Sequence, residues 1–179
     1  GNIYSKTSTK SEVTSQILFG EKFKILSKNK NWVKIKTSFD NYIGFIKKSK
    51  FIKIHNPDFK VFSSKSPVFK EINNKFIKTN DHLYFSSSIT NFENKENYIR
   101  FGNNKWVNRK NLKSIKYTDK NYKKIFKIFL NTKYLWGGKS VSGIDCSALI
   151  QIFFKFNGVF FPRDTKDQIR YCKKKTIKE

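Results

Sequence analysis

The sequence is short of several residue types, and each shortage narrows what the chain can be. Its 179 residues include no methionine, only two cysteines and only two histidines. Two cysteines in dissimilar surroundings do not make a disulfide framework, and that count is compatible with a reducing compartment. No apolar run of membrane-spanning length and no signal-peptide core stands in the sequence. We therefore expect no membrane insertion, whereas the compartment, cytoplasm or periplasm and cell envelope, is left open.

Arginine is scarce as well, although the chain carries a formal net charge of +25. The lysines that supply this charge are spread over every segment, whereas arginine, the better reader of bases and phosphates, occurs four times. No zinc-finger spacing, glycine-rich phosphate loop or recognition-helix pattern accompanies the charge. The composition therefore predicts no nucleic-acid partner, no metal site and no cofactor, and a basic surface that could hold acidic polymers.

The first third of the chain has the pattern of short β-strands. Apolar and polar residues alternate in Phe23–Leu26, Trp32–Lys36 and Tyr42–Ile46, with turn-forming clusters between them. Several short strands at this spacing are typical of a small β-barrel. The pattern breaks near Pro57, so the first domain is predicted to span residues 1–55.

A weaker copy of this pattern follows. An aromatic-led strand, a tight turn and a second aromatic strand recur at Asn97–Phe101 and Lys105–Arg109. A single repetition at a period near sixty residues indicates two similar domains rather than a solenoid. We predict the second β-domain at residues 56–116.

After Thr118 the apolar period changes from that of strands to that of helices. Tyr122, Ile125, Phe126, Phe129 and Leu130 recur at helical spacing. The run from Cys146 to Phe156 repeats this spacing up to Gly158, and a third helical run follows Pro162 toward Lys174. Residues 117–179 are therefore predicted to form a helical segment.

Cys146 has the setting in which a thiol becomes reactive. It follows the glycine-rich run Trp136–Gly143 and would stand in the first turn of the predicted helix. There the helix dipole and the free backbone N–H groups favour the thiolate, which is the nucleophilic form. Cys172 lies late in the third helical run and has no comparable setting.

Three motifs in order identify a family. The runs Tyr134–Gly138, Gly143–Ser147 and Phe161–Gln168 resemble those of the NlpC/P60 cysteine peptidases, and the segments Ser11–Gln16 and Gly20-Glu21 resemble bacterial SH3 domains. The resemblance covers essentially the whole chain. It implies two SH3-like all-β small barrels followed by the N-terminal helical part of an α+β papain-like domain. It also implies hydrolysis of γ-D-glutamyl-diamino acid bonds in peptidoglycan peptide fragments with a free N-terminal L-alanine.

The resemblance assigns roles to individual residues near the thiol. Cys146 would be the nucleophile, and Tyr134, twelve positions earlier, would donate its hydroxyl hydrogen bond to the oxyanion. Tyr134 could instead be a core aromatic residue at a helix end. The motif residues Trp136, Asp145 and Ser147 are predicted to contact substrate.

The same resemblance places the recognition of the substrate amine on residues from both parts of the chain. Asp164 would bind the ammonium group, or cap the helix that follows, or do both. Thr165 stands where the family pattern has serine, and its extra methyl group would narrow the pocket. Tyr42 of the first β-domain would reach the same pocket, and Glu12 is a second acidic candidate that could equally be a solvated carboxylate.

The histidine that a papain-like peptidase requires is not assigned in this sequence. No histidine follows Cys146, and the two that the chain contains are His55 and His82, the latter expected at a strand edge. Two explanations compete: a peptidase truncated before its histidine, or a non-catalytic cell-wall-binding protein with a degenerate peptidase domain. An uncovered helix layer would expose Phe153, Phe154, Phe156 and Phe160, so the sequence favours the truncated enzyme, inactive alone and of undetermined oligomeric state.

Overall fold

The first β-domain is built from five antiparallel strands in the order β2-β1-β5-β4-β3. The computed structural model describes residues 1–49, 51 and 56–176. Alternation in the sequence turns one face of the sheet inward, where Ile3, Val33, Ile35 and Ile46 form a buried cluster. The strands are β1 (Asn2–Tyr4), β2 (Val13–Gln16), β3 (Phe23–Lys28), β4 (Trp32–Thr37) and β5 (Ile43–Lys47).

Eight further strands form a five-stranded sheet, β10-β11-β12-β7-β8, and a three-stranded sheet, β13-β6-β9. Asn73 and Asn74 have positive φ angles of 49° and 59°, which closes the tight turn between the two longest strands, β7 and β8. A short 3-10 turn lies at Arg109–Asn111. The strands are β6 (Phe59–Val61), β7 (Lys65–Ile72), β8 (Lys75–Tyr84), β9 (Ser88–Ile89), β10 (Glu93–Lys95), β11 (Tyr98–Gly102), β12 (Lys105–Asn108) and β13 (Leu112–Ser114).

One buried cluster of this second sheet system is aliphatic except for Phe101. Its strands bury Val61, Val68, Leu83, Ile89, Ile99, Phe101, Val107 and Leu112. His82 lies in β8, where it pairs with Pro67 of β7, and His55 lies outside the described residues.

Three helices and a small hairpin follow: α1 (Tyr122–Lys127), β14 (Lys139–Ser140), β15 (Gly143–Ile144), α2 (Cys146–Phe156) and α3 (Thr165–Thr176). The helix predicted from Cys146 to Phe156 has those bounds, and Gly158, at φ +70°, follows its C-cap Asn157. α1 stops at Lys127, earlier than the apolar spacing to Leu130 predicted. The chain turns there, and Asn131 adopts a left-handed φ of 62°.

The expectation of exposed phenylalanines on α2 is wrong for Phe156, which is completely buried. Phe153 packs against Phe126 of α1, and Phe154 stacks on Phe161 at a centroid distance of 4.3 Å. α1 and the segment before α3 therefore cover most of this face, and Phe160 is 39% exposed.

The described residues fall into two compact units. One contains the described residues of Gly1–Ile17, Glu21–Ile52 and Thr118–Glu179, and the other those of Leu18–Gly20 and Lys53–Tyr117. The first β-domain and the helical segment thus belong to one unit. The boundaries at residues 55 and 116 stay a prediction.

Candidate functional site

The thiol of Cys146 lies at the surface, at the first residue of α2. The hairpin β14–β15 leads the chain into the helix, and Asp145 is its N-cap, with the carboxylate accepting a 2.8 Å hydrogen bond from the Ala148 backbone N–H. Ala148 and Ile152 are fully buried, which anchors α2 beneath the thiol. The β14–β15 hairpin, the Asp145 cap and the buried face of α2 therefore hold Cys146 at the protein surface on a fixed helix.

Beneath the thiol, Asp145 forms a bidentate ion pair with Arg163. Nη2 and Nη1 of Arg163 lie 2.6 and 3.0 Å from the two carboxylate oxygens, and both side chains are more than nine-tenths buried. Burial raises the pKa of Asp145, but the hydrogen bonds from Arg163 and the Ala148 N–H outweigh it, and the net pKa is lowered. The pair joins the start of α2 to the segment that leads into α3.

Arg163 also ties the first β-domain to this pair. Its Nε donates to Ser15 Oγ of β2 at 2.9 Å, and its Nη1 donates to Ser147 Oγ at 2.8 Å. Ser15 is buried. One guanidinium thus contacts a strand of the first domain, the cap of α2 and the first turn of α2.

Asp145 and Ser147, both predicted to contact substrate, are buried in the structure. Both are less than a tenth exposed, and their polar atoms are engaged with each other and with Arg163. The oxygens of a carboxylate that caps a helix and pairs with a buried guanidinium are already hydrogen-bonded within the protein. Their contact with substrate stays a prediction, and in the structure they hold Arg163 and the first turn of α2.

Asp164 lies at the surface, next in sequence to Arg163 and immediately before α3. Partial burial raises the pKa of its carboxyl, the Arg163 charge opposes the rise, and the charges of Asp167 and Asp145 add to it. Its backbone carbonyl accepts the N–H of Gln168 at 2.9 Å, which fixes the start of α3. Thr165, the first residue of α3, is exposed.

Tyr42 lies immediately before β5. Its hydroxyl donates to the Thr14 carbonyl at 3.4 Å, and its ring is partly buried. Burial raises the pKa of the phenol, and the charge of Asp164 raises it further. Thr14 is adjacent to Ser15, which accepts the hydrogen bond from Arg163, so Tyr42 lies near the segment that carries Asp164.

The aromatic run before the glycines flanks the thiol. Backbone hydrogen bonds join Leu135 N–H to the Ile144 carbonyl at 3.1 Å, and Tyr134 bridges to Ile144, two residues before Cys146. Tyr134 is 64% exposed, which excludes the alternative of a core aromatic residue. The indole of Trp136 donates to Glu12 Oε1 at 2.6 Å, so Glu12 is a partner of the motif and not a free carboxylate.

Gly137 is required by both its backbone angle and its surroundings. Its φ is +71°, and a Cβ at this position would lie 2.3 Å from the Val13 carbonyl oxygen. Its N–H donates to Asp145 Oδ2 at 3.0 Å. The turn before the thiol therefore packs directly on the first β-domain.

Gly137→Ala should lower the free energy of unfolding by about 2–4 kcal/mol, because left-handed strain and a backbone overlap add together. Urea denaturation followed by circular dichroism measures the loss. Gly158→Ala is the matched control, since Gly158 has a φ of +70° with nothing within 4 Å of the added Cβ. Equal losses in the two variants would contradict the packing argument.

Several buried residues of the site had no sequence signal. Gln151, Asp40, Lys139, Lys155 and Glu21 form a polar group in the interior of this unit. Arg163 did carry a signal, since it stands in a motif run and arginine is rare in this chain. Glu21 also stands in a motif segment, Gly20-Glu21, whereas Gln151, Asp40, Lys139 and Lys155 belong to none of the motif runs.

In the described ranges no three His, Cys, Asp or Glu side chains are grouped to hold a metal ion. The helices of that part of the chain are all too short or too polar to cross a membrane.

Family comparisons agree with this geometry. A model described as the bacterial dipeptidyl-peptidase SH3 domain matches residues 3–51, and the NlpC/P60 family model matches residues 131–179. The chain carries a bacterial SH3 domain and an NlpC/P60 segment. The family predicted from the three motifs is thereby confirmed.

Curated relatives carry peptidase names. The chain is similar to a gamma-D-glutamyl-L-lysine dipeptidyl-peptidase of Bacillus subtilis, 30% identical over 90% of this chain and 59% of that protein. A dipeptidyl-peptidase 6 of Lysinibacillus sphaericus is 47% identical over 21% of this chain and 14% of its own length. The chain thus spans about three fifths of the Bacillus subtilis relative.

A solved structure shares the fold. An NlpC/P60 family protein of Bacillus cereus superposes with a TM-score of 0.73 at 19% identity, covering 88% of this chain and 59% of that one. Together with the SH3 match, this confirms the predicted fold class: SH3-like β-domains followed by the helical part of a papain-like NlpC/P60 domain.

Proposed function

We propose that the NlpC/P60 segment and the first SH3 domain form the thiol and amine-binding parts of a cysteine endopeptidase. Its substrates would be peptidoglycan-derived peptides with a free N-terminal L-alanine, cleaved at the γ-D-glutamyl-diamino acid bond. One observation carries the proposal: the exposed Cys146 and the surface carboxylate of Asp164 are held by the same buried Asp145–Arg163 pair. A nucleophile and a cation receptor are thereby fixed on one support.

The reaction would proceed by acyl transfer. The Cys146 sulfur would attack the γ-glutamyl carbonyl carbon, the C–N bond would break, and the diamino acid would leave with a proton on its amine. Water would then hydrolyse the thioester. The exposed hydroxyl of Tyr134 is the candidate donor to the oxyanion.

Proton transfer to the leaving amine normally uses a histidine, and none follows Cys146 in this chain. We therefore expect the 179-residue chain by itself to bind the peptide without turning it over.

Recognition of the amine rests on charge. An ionised carboxylate at Asp164 would accept hydrogen bonds from the substrate ammonium, and it discriminates strongly against analogues that lack the charge. Arg163, next to Asp164, donates to Ser15 of β2, and Tyr42 donates to the adjacent Thr14 carbonyl, which supports a pocket to which the SH3 domain contributes. Two groups from separate domains would then close around the L-alanine end and exclude longer, crosslinked peptides.

Binding of the dipeptide L-Ala-γ-D-Glu to this chain tests the proposal by calorimetry. The dipeptide should bind, and its N-acetylated form should bind at least about tenfold more weakly, because acetylation removes the ammonium. Equal affinities for the two would contradict the assignment of Asp164.

Acidification should weaken the binding of the free dipeptide, because Asp164 becomes protonated as the pH falls. Only ionised Asp164 attracts the ammonium, and its pKa is raised above the usual value of an aspartate. Affinity should therefore begin to fall at a higher pH than an ordinary aspartate would give. A titration between pH 7 and pH 3 measures this, and affinity that stays constant down to pH 4 would argue against an ammonium–Asp164 contact.

A further inference from the structure

Gln151 joins three segments of the site through one amide. It lies on α2, five residues after Cys146, and is completely buried. Its Nε2 donates to Asp40 Oδ2 at 2.8 Å and to the Phe161 carbonyl at 3.0 Å. Phe161 begins the segment that leads through Arg163 to Asp164, so the amide links the thiol helix to that segment and to the SH3 domain.

Asp40 connects Gln151 to Tyr42 through its second carboxylate oxygen. Its other oxygen, Oδ1, accepts the Tyr42 backbone N–H at 3.3 Å and the hydroxyl of Thr37. Tyr42 N–H also donates to Thr37 Oγ1 at 2.8 Å. The Asp40 side chain is 1% exposed, so water does not replace these bonds. The backbone of Tyr42 is thus set by a carboxylate that Gln151 holds from the opposite domain of the same unit.

Buried charges surround this connection. Lys139 Nζ lies 4.0 Å from Asp40 Oδ2 and 3.1 Å from Glu21 Oε1, and Lys155 Nζ lies 3.4 Å from the same Glu21 oxygen. Burial lowers the pKa of Lys155, and the Lys139 charge adds to that effect while Glu21 opposes it. Buried ion pairs are poor sources of stability compared with apolar packing of equal volume. Their presence here is better explained by a need for fixed geometry.

We propose that Gln151 is a specificity-determining positioning residue, which sets the distance between Tyr42 and Asp164 by holding Asp40 and the Phe161 carbonyl on the thiol-bearing helix. It touches no substrate. This inference rests on the proposed function, because the quantity that Gln151 controls is selectivity for the free amine.

The test uses Gln151→Met, which preserves length and removes both donated hydrogen bonds. Calorimetry on the full chain compares L-Ala-γ-D-Glu with its N-acetyl form, well below the melting temperature of each variant. We expect the free dipeptide to bind about tenfold more weakly, with little change for the acetylated form, so that selectivity falls. Gln151→Glu should lose more affinity for the free dipeptide than Gln151→Met, because a second carboxylate would face Asp40.

Asn157→Ala is the matched control for stability. Asn157 lies at the other end of α2 and donates to the Asp119 and Phe153 carbonyls at 3.1 and 2.9 Å, so its loss destabilises the same helix away from the site. It should lower the melting temperature and leave selectivity unchanged. Equal selectivity in Gln151→Met and Asn157→Ala would overturn the positioning role.

A measurement on the unmodified protein guards against variants that do not fold. Binding of L-Ala-γ-D-Glu should shift the NMR signals of the Gln151 side-chain amide and of the Tyr42 backbone amide. Unchanged signals at both positions under saturating ligand would overturn the inference. Failure of the proposed function is distinguishable, because the unmodified chain would then show no preference for the free amine at all.

Discussion

Arg163→Met should lower the free energy of unfolding by about 3–5 kcal/mol, since it removes one partner of a buried ion pair. The Asp145 carboxylate would keep its burial and lose two hydrogen bonds, of 2.6 and 3.0 Å. The first SH3 domain would lose the bond from Arg163 to Ser15. The expected effect therefore combines an unpaired buried charge with the loss of a connection between the two domains of one unit.

The pH dependence of this loss follows from the lowered pKa of Asp145. A carboxyl with a lowered folded pKa stabilises the protein above its unfolded pKa, and that contribution disappears as pH falls through the folded value. The difference between the original chain and Arg163→Met should therefore narrow on acidification below the usual pKa of an aspartate. Urea denaturation at several pH values measures both quantities.

Arg170→Met is the control for Arg163→Met. Arg170 and Asp167 also form an arginine–aspartate pair, at 3.4 Å, but both side chains are more than half exposed. Exposed pairs of this kind contribute about 0.2–1 kcal/mol. If Arg163→Met lowered the free energy of unfolding as little as Arg170→Met does, the buried Asp145–Arg163 pair would not stabilise the site.

Asp164→Asn should weaken the binding of L-Ala-γ-D-Glu by about 10- to 150-fold, the value of a hydrogen bond to a charged group. Asparagine keeps the size and a carbonyl oxygen, so the change isolates the charge. Because the pKa of Asp164 is raised by partial burial, removing its charge should leave stability unchanged or slightly higher at neutral pH. Calorimetry and thermal unfolding on the same samples separate the two effects.

Asp167→Asn supplies the comparison for Asp164→Asn. Asp167 lies three residues later in the first turn of α3, is exposed, and carries the same formal charge. If the start of α3 attracted cations only through its general negative charge, Asp164→Asn and Asp167→Asn would weaken the binding of L-Ala-γ-D-Glu equally. The account instead requires the loss to be confined to Asp164.

The sequence predicted those parts of the structure that depend on local pattern. The bounds of α2 followed from the spacing between Cys146 and Phe156, and the family followed from three motif runs. α1 was predicted too long, because apolar period continues through Leu130 while Asn131 turns the chain. The spacing of apolar residues alone does not show where the backbone hydrogen bonding of a helix ends.

The role of Asp145 was not predictable, since a carboxylate before a helix looks the same in sequence whether it caps the helix or faces a substrate. In the structure Asp145 caps α2 and is buried with Arg163, which also contacts the first SH3 domain. Gln151 and Asp40 are 111 positions apart and carry no motif, so their contact could come only from the folded chain. The supporting residues of the site are therefore the part that sequence reasoning missed.

The central claim is that Cys146 is a nucleophile aimed at a γ-glutamyl carbonyl, and an activated substrate tests it most directly. A γ-thioester of L-Ala-D-Glu has a leaving group that needs no protonation, so it can acylate the thiol in the absence of a histidine. Cys172 is likewise an exposed cysteine, which makes it an internal control. Peptide mass spectrometry after timed incubation should show one acyl group, on Cys146 and not on Cys172, formed more slowly from the N-acetylated thioester. Equal labelling of both cysteines, or binding of the dipeptide without any acylation of Cys146, would contradict the enzyme and favour a chain that only binds cell-wall peptides.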